Sequence, residues 1–214
     1  GDVETRHATP RNATGVAPRV WLFGNEGNFG IITKAVVKVH PIPEAREYGF
    51  LVFKTLDDGV RFLKRLRHEG AVPASIRLVN NTEMRFGQAL KPAPSFFHGL
   101  LDRAKKFLLI KIKRFDPLKM AGCTIVMEGT AREVASQRET IFSLGSEFGA
   151  MSGGASNGRR GYTLTFGIAY IRDFFNQFHI MGETFETSVP WSRIHDVIGA
   201  VEEELAKQAK IHSL

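Results

Sequence analysis

A single cysteine in 214 residues leaves no partner for an intramolecular disulfide. Cys123 sits in the apolar run CTIVM, which suits a buried, inert thiol better than a nucleophile. The missing disulfide framework fits a reducing or non-secretory compartment. Acid is also scarce: 22 Asp and Glu stand against 29 Lys and Arg, giving a net charge of +7. That balance selects anionic partners, whether phosphate-bearing ligands, anionic lipid surfaces or nucleic acid. Nucleic acid is set aside, because no RNP-like, helix-turn-helix or zinc-finger pattern accompanies the charge. No run approaches the roughly eighteen apolar residues of a membrane-spanning helix. GxGxxG and Walker patterns are absent, so no standard nucleotide motif is present. A GxSxG elbow is missing too, which argues against ester hydrolysis by a serine nucleophile. The seven histidines show no ligand spacing, so no metal site is expected.

What is present is a hydrophobic content of 43%, enough to bury a core. The start, GDVETRHATPRNATG, has no initiator Met or signal architecture, and the end, EEELAKQAKIHSL, stops inside a helical pattern. Both lead to the expectation of an internal piece of a longer protein. The most distinctive stretch is GNEGNFGIITKAVVKVHPIPE, from Gly24 to Glu44. Glycines this dense permit positive φ and let a ligand lie against bare backbone, but a tight turn would use them equally well. Ile31–His40 alternates as a strand should, and Pro41 and Pro43 mark a domain junction.

Beyond the junction, strands and helices alternate. Strands are predicted at Tyr48–Phe53, Ser75–Val79, Cys123–Met127 and Thr184–Val189. Helices are predicted at Leu56–His68, at Thr82–Leu90 with Thr82 as N-cap, at Phe96–Phe115, Ala131–Phe148 and Leu164–Phe175, and from Pro190 at N1 through Ala209. MSGGASNGRRG reads as a loop by its glycine and serine content. The fold class is α+β: an antiparallel sheet with helices on one face. Lys105, Lys106, Lys111, Lys113 and Arg114 interleave with Phe107, Leu108, Leu109, Ile110, Ile112 and Phe115. Such a stretch serves a membrane-surface helix admitting lipid, or an ordinary amphipathic helix with snorkelling lysines. The pair Arg159-Arg160 could meet a phosphate, but its setting favours a solvated loop.

The glycine-rich stretch resembles the segment by which vanillyl-alcohol-oxidase-type flavoenzymes line FAD. The blocks PASIRLVNN, FGQALKP, KKF with KIKRFDP, NGRRGY, IAYIRD and GETFETSVPW then follow in the order and spacing of the ether-lipid-forming members of that family. The resemblance implies residues 1–43 as the end of an FAD-binding domain and 44–214 as an incomplete substrate-binding cap. It implies exchange of the acyl chain of acyl-dihydroxyacetone phosphate for a long-chain fatty alcohol, through an adduct at the flavin N5 and without net redox change. FAD contacts would fall on Glu26, Gly27, Asn28, Phe29, Gly30, Ile31 and Ile32. Arg77 would be a buried catalytic guanidinium near the flavin, and Arg172 and Thr184 would meet the substrate. A homodimer at a peripheral membrane surface, in a peroxisome or similar organelle, is implied as well. The sequence departs from the family pattern at Asn25, Asn28 and Phe29, where Ser, Thr and Leu are usual, and at Val16-Ala17, where Pro-Asp is usual. Two rival readings remain: a 2-hydroxy-acid dehydrogenase on the same fold, and a non-catalytic basic lipid-binding module.

Overall fold

Strand β1 (Ala45–Phe53) is the axis on which the larger part of the chain is built, and it is buried without a break from Gly49 to Phe53. In the computed structural model, residues 13, 15, 17, 19–90, 114–182 and 184–212 are described. The chain forms two units, Gly1–Ile42 and Pro43–Leu214. The first contains a short helix, α1 (Arg19–Leu22), the glycine-rich turn, and an extended stretch through residue 42. The predicted strand Ile31–His40 does not form: this stretch has no ladder, and Val36, Val37 and Val39 are exposed. Alternation prepares a strand, but a strand also needs a neighbour to accept its backbone hydrogen bonds. Among the described residues of this unit there is none.

In the second unit, α2 (Leu56–Glu69) follows β1, then come β2 (Ser75–Val79), α3 (Asn81–Ala89), β3 (Ala121–Gly129), α4 (Ala131–Glu147) and the two-residue β4 (Met151–Ser152). α5 (Ala155–Asn176) and α6 (Ile194–Ile211) complete it, with a 3₁₀ turn at Trp191–Arg193 leading into α6. The sheet order is β2-β3-β1-β4, all antiparallel. β1 and β2 are therefore split by β3, and β3 and β4 by β1, which is the ferredoxin-like double split β-α-β arrangement. Ala45 pairs with Gly129 and Phe53 with Ala121 along β1–β3, while Arg77 stands opposite Thr124 along β2–β3.

Helix starts are set by local chemistry. Thr55 accepts from the Asp58 N–H, and Gly70 closes α2 in the left-handed region. Thr130 and Glu133 form a reciprocal capping box on α4. α3 is capped by Asn80, not Thr82: the Asn80 backbone is extended and its side chain accepts from the Glu83 N–H. Pro190 lies one position ahead of the 3₁₀ turn and is not at N1 of a long helix.

Two apolar clusters lie on opposite faces of the sheet. On one, Leu51, Phe53, Cys123, Ile125 and Met127 pack against Phe62 and Leu66 of α2 and Val134, Ile141 and Leu144 of α4. On the other, Phe50 and Val52 pack with Met84 and Phe115. α5 extends that second cover. A Cβ on Gly158 would stand 2.3 Å from the Gly49 carbonyl oxygen, and one on Gly161 would stand 2.6 Å from Thr124 Oγ1. The expectation of helices on one face is thus corrected: both faces are covered, which is why β1 reads as an unbroken buried run. The predicted loop MSGGASNGRRG is mostly the first turns of α5, because close approach of a bare helix to the sheet outweighs glycine's low helix propensity. Leu164–Phe175 is the second half of that helix. Thr184–Val189 forms no strand; its described residues are exposed apart from Val189 and have no ladder. The predicted helix Phe96–Phe115 lies outside the described residues except for Arg114 and Phe115, which are not helical.

Gly158→Ala is expected to cost about 3 kcal/mol, because its methyl would meet immovable backbone. Gly167→Ala on the same helix would meet nothing within 4 Å, and is expected to stabilise by up to about 1 kcal/mol. Urea unfolding followed by circular dichroism checks the opposite signs. Thr130→Ala is expected to cost about 1 kcal/mol at neutral pH through loss of the α4 cap. Hydrogen bonds from the Thr130 backbone N–H and hydroxyl hold Glu133 below its ordinary carboxylate range. The stability linked to that depressed pKa is present above the unfolded value and fades as pH falls through the folded one. The wild-type-to-variant difference should therefore narrow on acidification, as measured by urea midpoints across pH.

Candidate functional site

The glycine-rich turn is held by its own side chains. After α1, the Asn25 side-chain amide donates to the Leu22 carbonyl, and its Oδ1 accepts from the Gly27 N–H at 2.7 Å. The Phe29 N–H points at the same oxygen from 3.5 Å. The Asn25 carbonyl accepts from the Asn28 N–H at 2.9 Å and from Asn28 Nδ2 at 2.8 Å. Trp21 meets Phe29 edge-on, ring centroids 6.3 Å apart. Gly24, Gly27 and Gly30 have positive φ, as does Glu26 at 51°, and a Cβ on any of the three glycines would meet open space. Conformation rather than packing therefore requires these glycines. Glu26, Gly27, Asn28, Phe29, Gly30, Ile31 and Ile32 are all exposed. Among the described residues, the N–H groups of Gly30, Ile31 and Ile32 carry no hydrogen bond. An exposed backbone with free donors fits an anionic cofactor such as FAD.

In the second unit, Arg77 lies on the edge strand β2, on the sheet face that α5 covers. Its side chain is exposed and makes no ion pair among the described residues. The expected buried guanidinium is thus corrected: no described element lies beyond β2 to cover it. Arg172 is exposed on the second half of α5, its Nε 3.8 Å from Asp173 Oδ1. That separation is loose for a neighbouring pair and leaves the guanidinium fork available. Arg172 stands eleven residues beyond Gly161, or about 16 Å along the helix. Thr184 follows in the exposed stretch after α5. Arg77, Arg172 and Thr184 therefore share one unit, and the glycine-rich turn belongs to the other.

Two residues carry more than the sequence indicated. Arg160 is half-buried on α5 rather than solvated in a loop; its Nε is enclosed without a partner, and burial lowers its pKa. Asn25 organises the turn, a role signalled only by an asparagine two residues ahead of a glycine. Cys123 is enclosed, and burial pushes its thiol up to about 12, which keeps it protonated. The second half of α5 exposes Phe166, Ile168, Tyr170 and Phe174 beside Arg172 and Asp173. The basic stretch Lys105–Lys113 lies outside the described residues.

The chain is similar to known proteins over most of its length. Alkyldihydroxyacetonephosphate synthase of Caenorhabditis elegans is 35% identical over 211 residues, covering 98% of this chain and 35% of that protein. The Dictyostelium discoideum protein of the same name is 28% identical over 210 residues, covering 98% and 34%. The chain thus spans about a third of the length of these curated relatives. Two solved structures of alkyldihydroxyacetonephosphate synthase resemble it. One gives a TM-score of 0.70 at 27% identity, covering 90% of this chain and 37% of that one. The other gives 0.61 at 30% identity, covering 77% and 29%. The family described as FAD linked oxidases, C-terminal domain, matches residues 42–213, and it is to this FAD-linked family that the chain belongs.

Proposed function

We propose that the chain is the central part of an ether-lipid-forming enzyme, exchanging the acyl chain of acyl-dihydroxyacetone phosphate for a long-chain fatty alcohol. The observation that carries this reading is the extent of similarity: the match to the Caenorhabditis elegans synthase runs over 98% of the chain, from one unit into the other. In this reading residues 1–43 close the FAD-binding domain and 44–214 form most of the cap. FAD supplies, when bound, the ring chemistry through which the exchange proceeds without net redox change.

The chain's own residues bind and orient. Free backbone N–H groups of the glycine-rich segment hold the cofactor edge. Arg172, whose fork is only loosely engaged by Asp173, binds the substrate phosphate through paired charge-assisted hydrogen bonds. Arg77 presents a cation to the fatty-acid carboxylate as it leaves. Thr184 offers a hydroxyl to the substrate. A net charge of +7 supports peripheral attachment to anionic membrane, where both lipid substrates reside.

Palmitoyl-dihydroxyacetone phosphate and hexadecanol, given to the whole protein, are expected to yield hexadecyl-dihydroxyacetone phosphate and palmitate in equal amounts, measured by mass spectrometry. Arg172→Met is expected to raise KM for the phosphate substrate by about tenfold or more, from loss of a charged hydrogen-bonding partner. Flavin bleaching by D-lactate with no alkyl product would identify a 2-hydroxy-acid dehydrogenase and overturn the proposal.

A further inference from the structure

Asn25, Asn28 and Phe29 are the three positions where the glycine-rich segment departs from the family pattern, and the structure gives each a contact within the turn. Asn25 bridges the Leu22 carbonyl to the Gly27 N–H. Asn28 returns its side chain to the Asn25 carbonyl. Phe29 sets its ring against Trp21. Together they close the turn onto α1, with no other element contributing among the described residues. The closure has work to do, because Glu26 stands at φ 51°. A non-glycine residue in the left-handed region is unfavourable, and such a position persists only where its surroundings over-determine it.

The hydrogen bonds also divide the segment's donors. The N–H groups of Gly27, Asn28 and, more weakly, Phe29 are used inside the turn. Those of Gly30, Ile31 and Ile32 follow directly and are without partners among the described residues. We propose that Asn25 is the positioning residue of the cofactor segment. It acts through the Gly27 N–H and the Leu22 carbonyl to pre-form the turn, so that the N–H groups of Gly30–Ile32 are the ones that meet FAD. Gly27 and Asn28 shape the segment and donate nothing to the cofactor. This inference rests on the reading that the segment flanks FAD. Preorganisation of this kind strengthens binding by removing the ordering cost from the binding step.

The test is FAD affinity and visible circular dichroism of the whole protein, stripped of flavin and reconstituted. Asn25→Ala removes all three side-chain bonds, to Leu22, Gly27 and Phe29, and is expected to weaken FAD about tenfold and to alter the flavin's visible dichroism. Asn25→Asp keeps the acceptor facing Gly27 and is expected to recover most of the affinity. Should Asn25→Ala fail to accumulate folded, Asn28→Ala, which removes only the reinforcing bond, is expected to weaken FAD about threefold. Wild-type affinity and dichroism in Asn25→Ala, or equal losses in the Ala and Asp variants, would overturn the positioning role. In the reserve experiment, wild-type affinity in Asn28→Ala would do the same. A wild-type protein that binds FAD normally while Ile32→Pro, lacking one free N–H, binds it equally well would overturn the assignment of donors. A wild-type protein that takes up no FAD would instead overturn the underlying cofactor reading, and the inference with it.

Discussion

The second unit depends on how closely a helix can lie on a sheet. At Gly158 the backbone of α5 comes so near the backbone of β1 that no side chain fits between them. Gly161 repeats the arrangement over Thr124 one turn later, and Tyr162 then reaches Tyr48, ring centroids 5.9 Å apart. This approach closes the second face of the sheet and gives β1 its continuous burial. It also fixes the direction in which α5 leaves the sheet, and with it the place of Arg172.

Much of this architecture could be read from the sequence, and the failures share a cause. β2 was legible because Pro73 and the pair Asn80-Asn81 bracket a short apolar run. α2 and α4 were legible because their caps, Thr55 and Thr130, are local. The start of α5 was not, because its glycines carry loop propensity in isolation, and only the sheet beneath turns them into a packing surface. Ile31–His40 and Thr184–Val189 have strand-like patterns without strands, since pairing is a property of two segments and a pattern belongs to one.

The candidate site divides along the same line. Residue chemistry was visible: a glycine-dense turn before an apolar run, and single arginines in apolar settings at Arg77 and Arg172. Burial was not, because Arg77 lies at a sheet edge and its exposure depends on what stands beyond that edge. Arg160 shows the converse, a loop-like sequence position that becomes half-enclosed once the helix is laid down. Asn25, Asn28 and Phe29 make the same point: their hydrogen bonds and ring contact converge on one turn, which no single position announces.

α5 is a single unbroken rod of 22 residues, set against the sheet at Gly158 and Gly161 and meeting Phe86 of α3 through Phe175. From Gly158 to Arg172 the rod measures about 21 Å at the usual rise per residue. By geometry alone, a tilt of about 5° at the glycines would carry the arginine through about 2 Å. A displacement of that size separates a formed hydrogen bond from a broken one. The tightness of the Gly49–Gly158 contact thus governs angular precision as well as stability, at a side chain four turns away.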